Sequence, residues 1–224
     1  MQIPYDDNLA LRVKAESLEP RQRSTAARLE VATDYSEQCM LKHPYRSAFH
    51  CYAEHLHAGL LEGEPHVISY TPQPFRLSVN GKWYTPDCHI VRDNRPQEVV
   101  ELKPRGEMPE EKRIPLEHFF AQYQMVFSVV SNESIFAREM EAENWLQIVQ
   151  TLYLARLIDT AGAEHALQER LIRLGICQLG DVIDSGYRER TYQQEIALLR
   201  LLHRGVVHAN LSDAVLDLDT EFWL

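Results

Sequence analysis

Two apolar runs joined by a turn, YTPDCHIVRDNRPQEVVELKPRG over residues 84–106, constrain this chain more than any other feature. Each run suits a strand, and Asp93-Asn94-Arg95-Pro96 between them has turn chemistry, so the pair reads as a hairpin. It also carries charge where a buried strand prefers Val, Ile and Leu: Asp87 after Thr85-Pro86, then Glu101 and Lys103. Side chains two apart share a face, so Glu101 and Lys103 point one way while Val100, Leu102 and Pro104 turn toward packing. Folding at the turn brings Asp87 beside Glu101. Two like charges at one sheet edge are costly without compensation. A divalent cation removes that cost, because hard carboxylate oxygens suit magnesium. A metal so held polarises a phosphodiester and acidifies a bound water, and Lys103 is placed to orient that water or to stabilise charge developing on phosphorus. Arg105 falls on the same face if the strand extends that far.

The flanking sequence supplies the setting. Residues 1–40 mix basic and acidic groups with helix formers and read as a partly helical arm. Phe49, Tyr52, Ala53, Leu56 and Leu60 recur at helical spacing, and Gly63 and Pro65 end that helix. HVISYTPQPFRLSV reads as an edge or bent strand because Pro72 and Pro74 interrupt it. Asn80-Gly81 marks a tight hairpin, leading into the strand KWYTPDCHIVR and then QEVVELKP. A helix opened by Pro109 follows, then the apolar strand MVFSVVS and the helix REMEAENWLQIVQTLYLARLI. This order makes residues 41–158 a mixed α/β domain. DTAGAEH (159–165) reads as a linker. Over 163–224, three short helices punctuated by Gly175, Gly186 and Gly205, and two short strands around Asn210–Asp213, suggest a small winged-helix-like α domain.

Composition narrows the partners. The net charge of −10 argues against binding nucleic acid through bulk electrostatics alone, though a basic cleft or delivery by a partner stays open. No apolar run approaches the roughly 20 residues that cross a bilayer. The four cysteines are scattered without a CxxC pair, as expected of reduced thiols in the cytoplasm. His50, His55 and His57 bracket Glu54, but positions two apart on a helix face differently, so they read as ordinary histidines, and His89 as a packing residue. Arg188, Arg190 and Arg200 read as a solvated helix face ahead of a phosphate-binding one.

The text around the acids then narrows the class. Glu54, the Tyr70-Thr71-Pro72-Gln73-Pro74-Phe75 run, Tyr84-Thr85-Pro86-Asp87 and Glu101-Leu102-Lys103-Pro104 resemble the TnsA endonuclease family of heteromeric cut-and-paste transposons, within the restriction-endonuclease-like superfamily. Glu54 stands 19 residues before Gln73, as the family's helix glutamate does before its Gln-Pro. One departure is Cys88-His89, where the family commonly has an aromatic residue. The resemblance spans about residues 45–130 by motif. It implies a restriction-endonuclease-like mixed sheet flanked by helices, with Asp87, Glu101 and the helix residue Glu54 as catalytic, metal-binding acids and Lys103 as catalytic lysine. It further implies that Gln73 lies near the site and that the backbone carbonyl of Leu102 completes the coordination of Mg2+, for which Mn2+ can substitute. It implies cleavage of the 5′ strands at transposon ends beside a TnsB-like transposase, with the C-terminal domain contacting a TnsC-like ATPase, in the cytoplasm and at the nucleoid when active. The same core also suits a stand-alone restriction or repair nuclease, and the domain layout suits a non-catalytic winged-helix adaptor.

Overall fold

The structure is a computed structural model that describes residues 7–25, 30–31 and 33–224. It is a mixed α/β protein with several sheets, and its contacts divide it into two units. The first takes in the described residues up to Gln38, with Lys42–His57 and His66–Ala137. The second takes in Cys39–Leu41, Ala58–Pro65 and Arg138–Leu224.

In the first unit a four-stranded sheet runs β4 (Val67–Pro72), β7 (Cys88–Arg92), β8 (Gln97–Lys103), β9 (Met125–Ser131). The first two pairings are antiparallel and β8–β9 is parallel, joined through helix α3 (Glu110–Gln122). The strand with Pro72 at its end lies at the edge, where a missing N–H costs no ladder bond. A second sheet has the order β1 (Val13–Ala15), β5 (Leu77–Val79), β6 (Lys82–Tyr84), and Asn80 and Gly81 both take positive φ in the two-residue turn between β5 and β6. Val13, Phe75, Leu77, Tyr84 and Val99 share one core with Leu116, Phe119 and Phe120 of α3. Pro115 sits inside α3 and cannot donate to the Glu111 carbonyl; the Asn80 side chain donates to that oxygen at 3.2 Å instead.

Several expectations are corrected. The described part of the N-terminal segment is not mainly helical: beside the short α1 (Asp7–Ala10) it contributes the strand Val13–Ala15, with Val13 paired to Val79, and the strand Ser36–Cys39. Parts of it, residues 1–6, 26–29 and 32, lie outside the described residues. Phe49 ends a short strand, β3 (Arg46–Phe49), which pairs with β2 (Ser36–Cys39), and helix α2 starts only at Tyr52 and runs to Gly63. The expected single strand 82–92 is two strands in two sheets, because Pro86 has no N–H to continue a ladder.

The second unit holds α4's successor, α5 (Glu139–Leu154), where α4 is Asn132–Phe136, together with α6 (Ala161–Leu174), α7 (Arg188–His203) and a sheet ordered β10 (Ile176–Gln178), β12 (Glu221–Trp223), β11 (His208–Ala209). Trp145, Ile148 and Leu152 of α5 pack with Leu167, Leu171, Leu198, Leu201 and Phe222, so this helix belongs to the C-terminal core and not to a domain ending at residue 158. The expected linker is mostly the first turn of α6, and residues 179–186 form a 3-10 turn and loop in place of a helix. Arg200 is no solvated residue: its guanidinium donates to the carbonyls of Ala155 and Ile158, capping the chain after α5.

Gly59 and Gly63, four apart on α2, let α5 approach closely. A Cβ at Gly59 would lie 2.6 Å from the Ala142 carbonyl oxygen, and one at Gly63 would lie 2.1 Å from Trp145 Nε1. Gly63 was expected as a helix stop; its lack of a side chain also makes room for an indole. Gly59→Ala is expected to destabilise the protein by about 1–3 kcal/mol despite alanine's better helix propensity, because a backbone carbonyl cannot rotate away. Chemical denaturation of both proteins measures this; equal midpoints would sink the close-approach argument.

Candidate active site

Every residue of the expected constellation lies in the first unit. Asp87 sits in the link between the two sheets, one residue before β7. Its peptide is gripped on both sides: the N–H donates to the Val100 carbonyl at 3.0 Å, and the carbonyl accepts from the Gln73 N–H at 2.9 Å. Its carboxylate Oδ2 accepts from the Leu102 N–H at 2.6 Å. The register that pairs Cys88 with Val100 therefore carries on to set Asp87 against Glu101. Glu101, only 3% exposed in the middle of β8, is held at both oxygens. Lys103 Nζ lies 2.6 Å from Oε1, and the Tyr84 hydroxyl donates to Oε2 at 2.5 Å.

Glu54, in the first turn of α2, completes the acidic set. Its Oε2 accepts from the His50 N–H at 3.1 Å and from Gln73 Nε2 at 2.5 Å. Gln73, without a role from sequence, thus ties Glu54 to the backbone of Asp87. It does so from a strained conformation, φ +41° between two prolines, of the kind that recurs where backbone is held for function. Arg105 does not share the Lys103 face: the strand ends at Lys103, and Arg105 takes φ +59° with its N–H donating to Glu133. His55 stacks on Phe49 and His89 packs edge-on to Phe75, as ordinary histidines do.

The electrostatics show how crowded the acids are. Burial, followed by the Glu101 and Glu54 charges, pushes the Asp87 carboxyl up to about 8, against the Leu102 N–H and Lys103. Burial also raises Glu54, opposed by the His50 N–H and the other groups that hold it. Burial pulls the Lys103 ammonium down, but the bond and charge of Glu101 outweigh it and leave Lys103 above its ordinary value. The Cys51 thiol, pushed up to about 12 by burial and then by Glu54, is not a nucleophile here.

Three residues of this site had no role in the sequence reading. Tyr84 was visible only as a letter of the Tyr-Thr-Pro-Asp run. Lys112, on the first turn of α3, lies 3.8 Å over the Tyr84 ring, and burial lowers its pKa. Gln22, in the N-terminal segment, donates to Gln73 Oε1 at 2.6 Å. No local pattern marks Lys112 or Gln22; only the fold brings them in.

Together these residues make a carboxylate–lysine cluster at the end of a mixed sheet. Among the described residues no three His, Cys, Asp or Glu side chains form a ready-made ligand cage. Magnesium does not call for one, since it binds through one or two carboxylates, retained waters and substrate phosphates. Asp87 and Glu101 fit that donor set: their oxygens are hard, and the raised Asp87 marks like-charge crowding that a cation relieves. The chain as a whole is thus a mixed α/β protein with a buried acidic site. No protein-family model and no curated protein matches it. No helix among the described residues is long and apolar enough to cross a membrane.

Proposed function

We propose that the protein is a magnesium-dependent DNA endonuclease of the TnsA kind, cleaving the 5′ strands at transposon ends beside a TnsB-like transposase. The observation that carries the reading is the binding of Asp87 to the Glu101 strand through Val100 and Leu102, with Lys103 on Glu101 and the Glu101 and Glu54 charges acting on Asp87. Asp87, Glu101, Glu54 and the Leu102 carbonyl would hold Mg2+ or Mn2+. Such an ion supplies charge neutralisation at the phosphodiester and acidifies a bound water. Lys103 is kept charged and aimed by Glu101, so it can donate to an oxygen gaining negative charge at phosphorus. Gln73 holds the Glu54 carboxylate in place through a donated bond.

On this reading the first unit is a restriction-endonuclease-like core and the C-terminal helices and small sheet are a winged-helix-like module that contacts a TnsC-like ATPase. The net charge of −10 suits an enzyme brought to DNA by partners in the bacterial cytoplasm rather than by its own affinity. Lys103→Ala tests the assignment in a reconstituted transposition mixture. The 5′ nicks are expected to disappear while the partner's 3′ cuts persist, as read on a denaturing gel. Undiminished 5′ cleavage would remove the nuclease assignment from this chain.

A further inference from the structure

We propose that Gln22, far from the motif, is a positioning residue that sets which end of the Gln73 amide faces Glu54. The argument rests on hydrogen-bond polarity. The two ends of a glutamine amide have nearly the same shape, so their orientation is decided by partners of fixed character. Ala48 in β3 provides such partners: its backbone N–H donates to Gln22 Oε1 at 3.2 Å, and its carbonyl accepts from Gln22 Nε2 at 2.6 Å. A backbone N–H only donates and a carbonyl only accepts, so the Gln22 amide is fixed.

Its Nε2 then faces Gln73, which must present Oε1 at 2.6 Å. That leaves Gln73 Nε2 for Glu54, where it donates to Oε2 at 2.5 Å. Gln73 is 4% exposed and pinned through its own N–H to Asp87, so little room exists for another arrangement. The reverse orientation would turn Gln22 as well, setting its carbonyl oxygen against the Ala48 carbonyl and its NH2 against the Ala48 N–H, and backbone groups cannot change character to accommodate that. A strand edge in β3 therefore dictates, through two amides, that Glu54 receives a donor. The N-terminal segment becomes part of the site's scaffold.

The consequence for cleavage rests on the nuclease reading, but the relay itself can be read without it. Gln22→Glu keeps the size of the side chain and replaces the donor by an acceptor, so Gln73 is expected to turn its NH2 toward residue 22. In the metal-free full-length chain, the Gln73 side-chain amide signals of the 15N-labelled protein report the contact. Glu54→Gln is expected to shift them in the otherwise native chain and to leave them unmoved when Gln22→Glu is also present. The same response in both backgrounds overturns the proposal. Should Gln22→Glu fail to fold, Gln22→Met carries the test. The Gln73 NH2 protons are then expected to exchange with solvent about fivefold faster, the equivalent of one neutral hydrogen bond, and unchanged exchange overturns the proposal.

In the transposition mixture, Gln22→Glu is expected to lower the 5′-cleavage rate constant about 10–100-fold, the range for a partner that orients a ligand, with the DNA concentration dependence unchanged. A loss confined to DNA affinity overturns the positioning role. If the native chain gives no 5′ cleavage while the amide response behaves as expected, the relay stands and the nuclease reading falls.

Discussion

Asp87→Asn is expected to abolish 5′-strand cleavage and, in the absence of metal, to make the protein more stable at pH 8. On the nuclease reading the loss of activity should exceed the roughly 10–100-fold that removing an outer partner of a metal ligand costs, because Asp87 would itself be a ligand. The stability gain follows from linkage. Burial and the neighbouring acids raise the folded-state Asp87 carboxyl to about 8, above its ordinary value of 3.8. Between those two values the folded protein keeps a proton that the unfolded chain has released, so stability is fully present below the lower value and falls as pH rises toward the upper one. The slope is at most about 1.4 kcal/mol per pH unit for one proton. Asparagine carries no charge, and its amide oxygen can still accept from the Leu102 N–H. Urea unfolding of both proteins at pH 5 and pH 8 measures the difference. The native chain should lose stability across that interval relative to the variant. Magnesium should restore it to the native chain alone, since a ligand of the folded state stabilises by mass action. A variant no more stable than the native chain at pH 8 would show that the acids are not crowded.

Glu62→Leu is expected to cost about 2–5 kcal/mol, because it leaves two hydrogen-bond partners of a buried carboxylate unsatisfied at about 1–3 kcal/mol each. Glu62 is 0% exposed in the last turn of α2. Its Oε1 accepts from the Leu41 N–H at 3.0 Å, and its Oε2 lies 2.9 Å from His203 Nε2. Leucine leaves a backbone donor and an imidazole without their acceptor in a dry interior, which outweighs the apolar packing it adds. Domains commonly hold only about 5–15 kcal/mol in reserve, so a large share would go. Adding His203→Leu should recover part of the loss, because the stranded imidazole is then gone; the non-additivity, read by denaturation of both single variants and the double, is the signature of the pair. A loss below about 1 kcal/mol for Glu62→Leu would mean that water reaches the pair and satisfies it.

These two residues mark what could be read from the sequence and what could not. Asp87, Glu101 and Lys103 were legible because acids and a lysine in apolar strands conflict with local patterning, and that conflict points to a site. Glu62 carries the same chemistry, but in LLEGEP it looks like an ordinary solvated glutamate at a helix end. Its partners are far along the chain: the Leu41 N–H, and His203 of α7, 141 residues away. Gln22 was likewise hidden, since an amide in a charged segment has no pattern until Ala48 and Gln73 surround it.

The hydrophobic periods, prolines and tight turns of the sequence determined the order of strands and helices around the site, because those signals act within a few residues. They also set Glu101 and Lys103 on one face, a consequence of the two-residue period of a strand. Tertiary structure decided the rest. It split the strand at Pro86 between two sheets, moved α5 into the C-terminal core and drew the N-terminal segment to the acids. Each of these depends on which surfaces meet across long stretches of chain, and that is settled by burial and by the pairing of buried polar groups rather than by local preference.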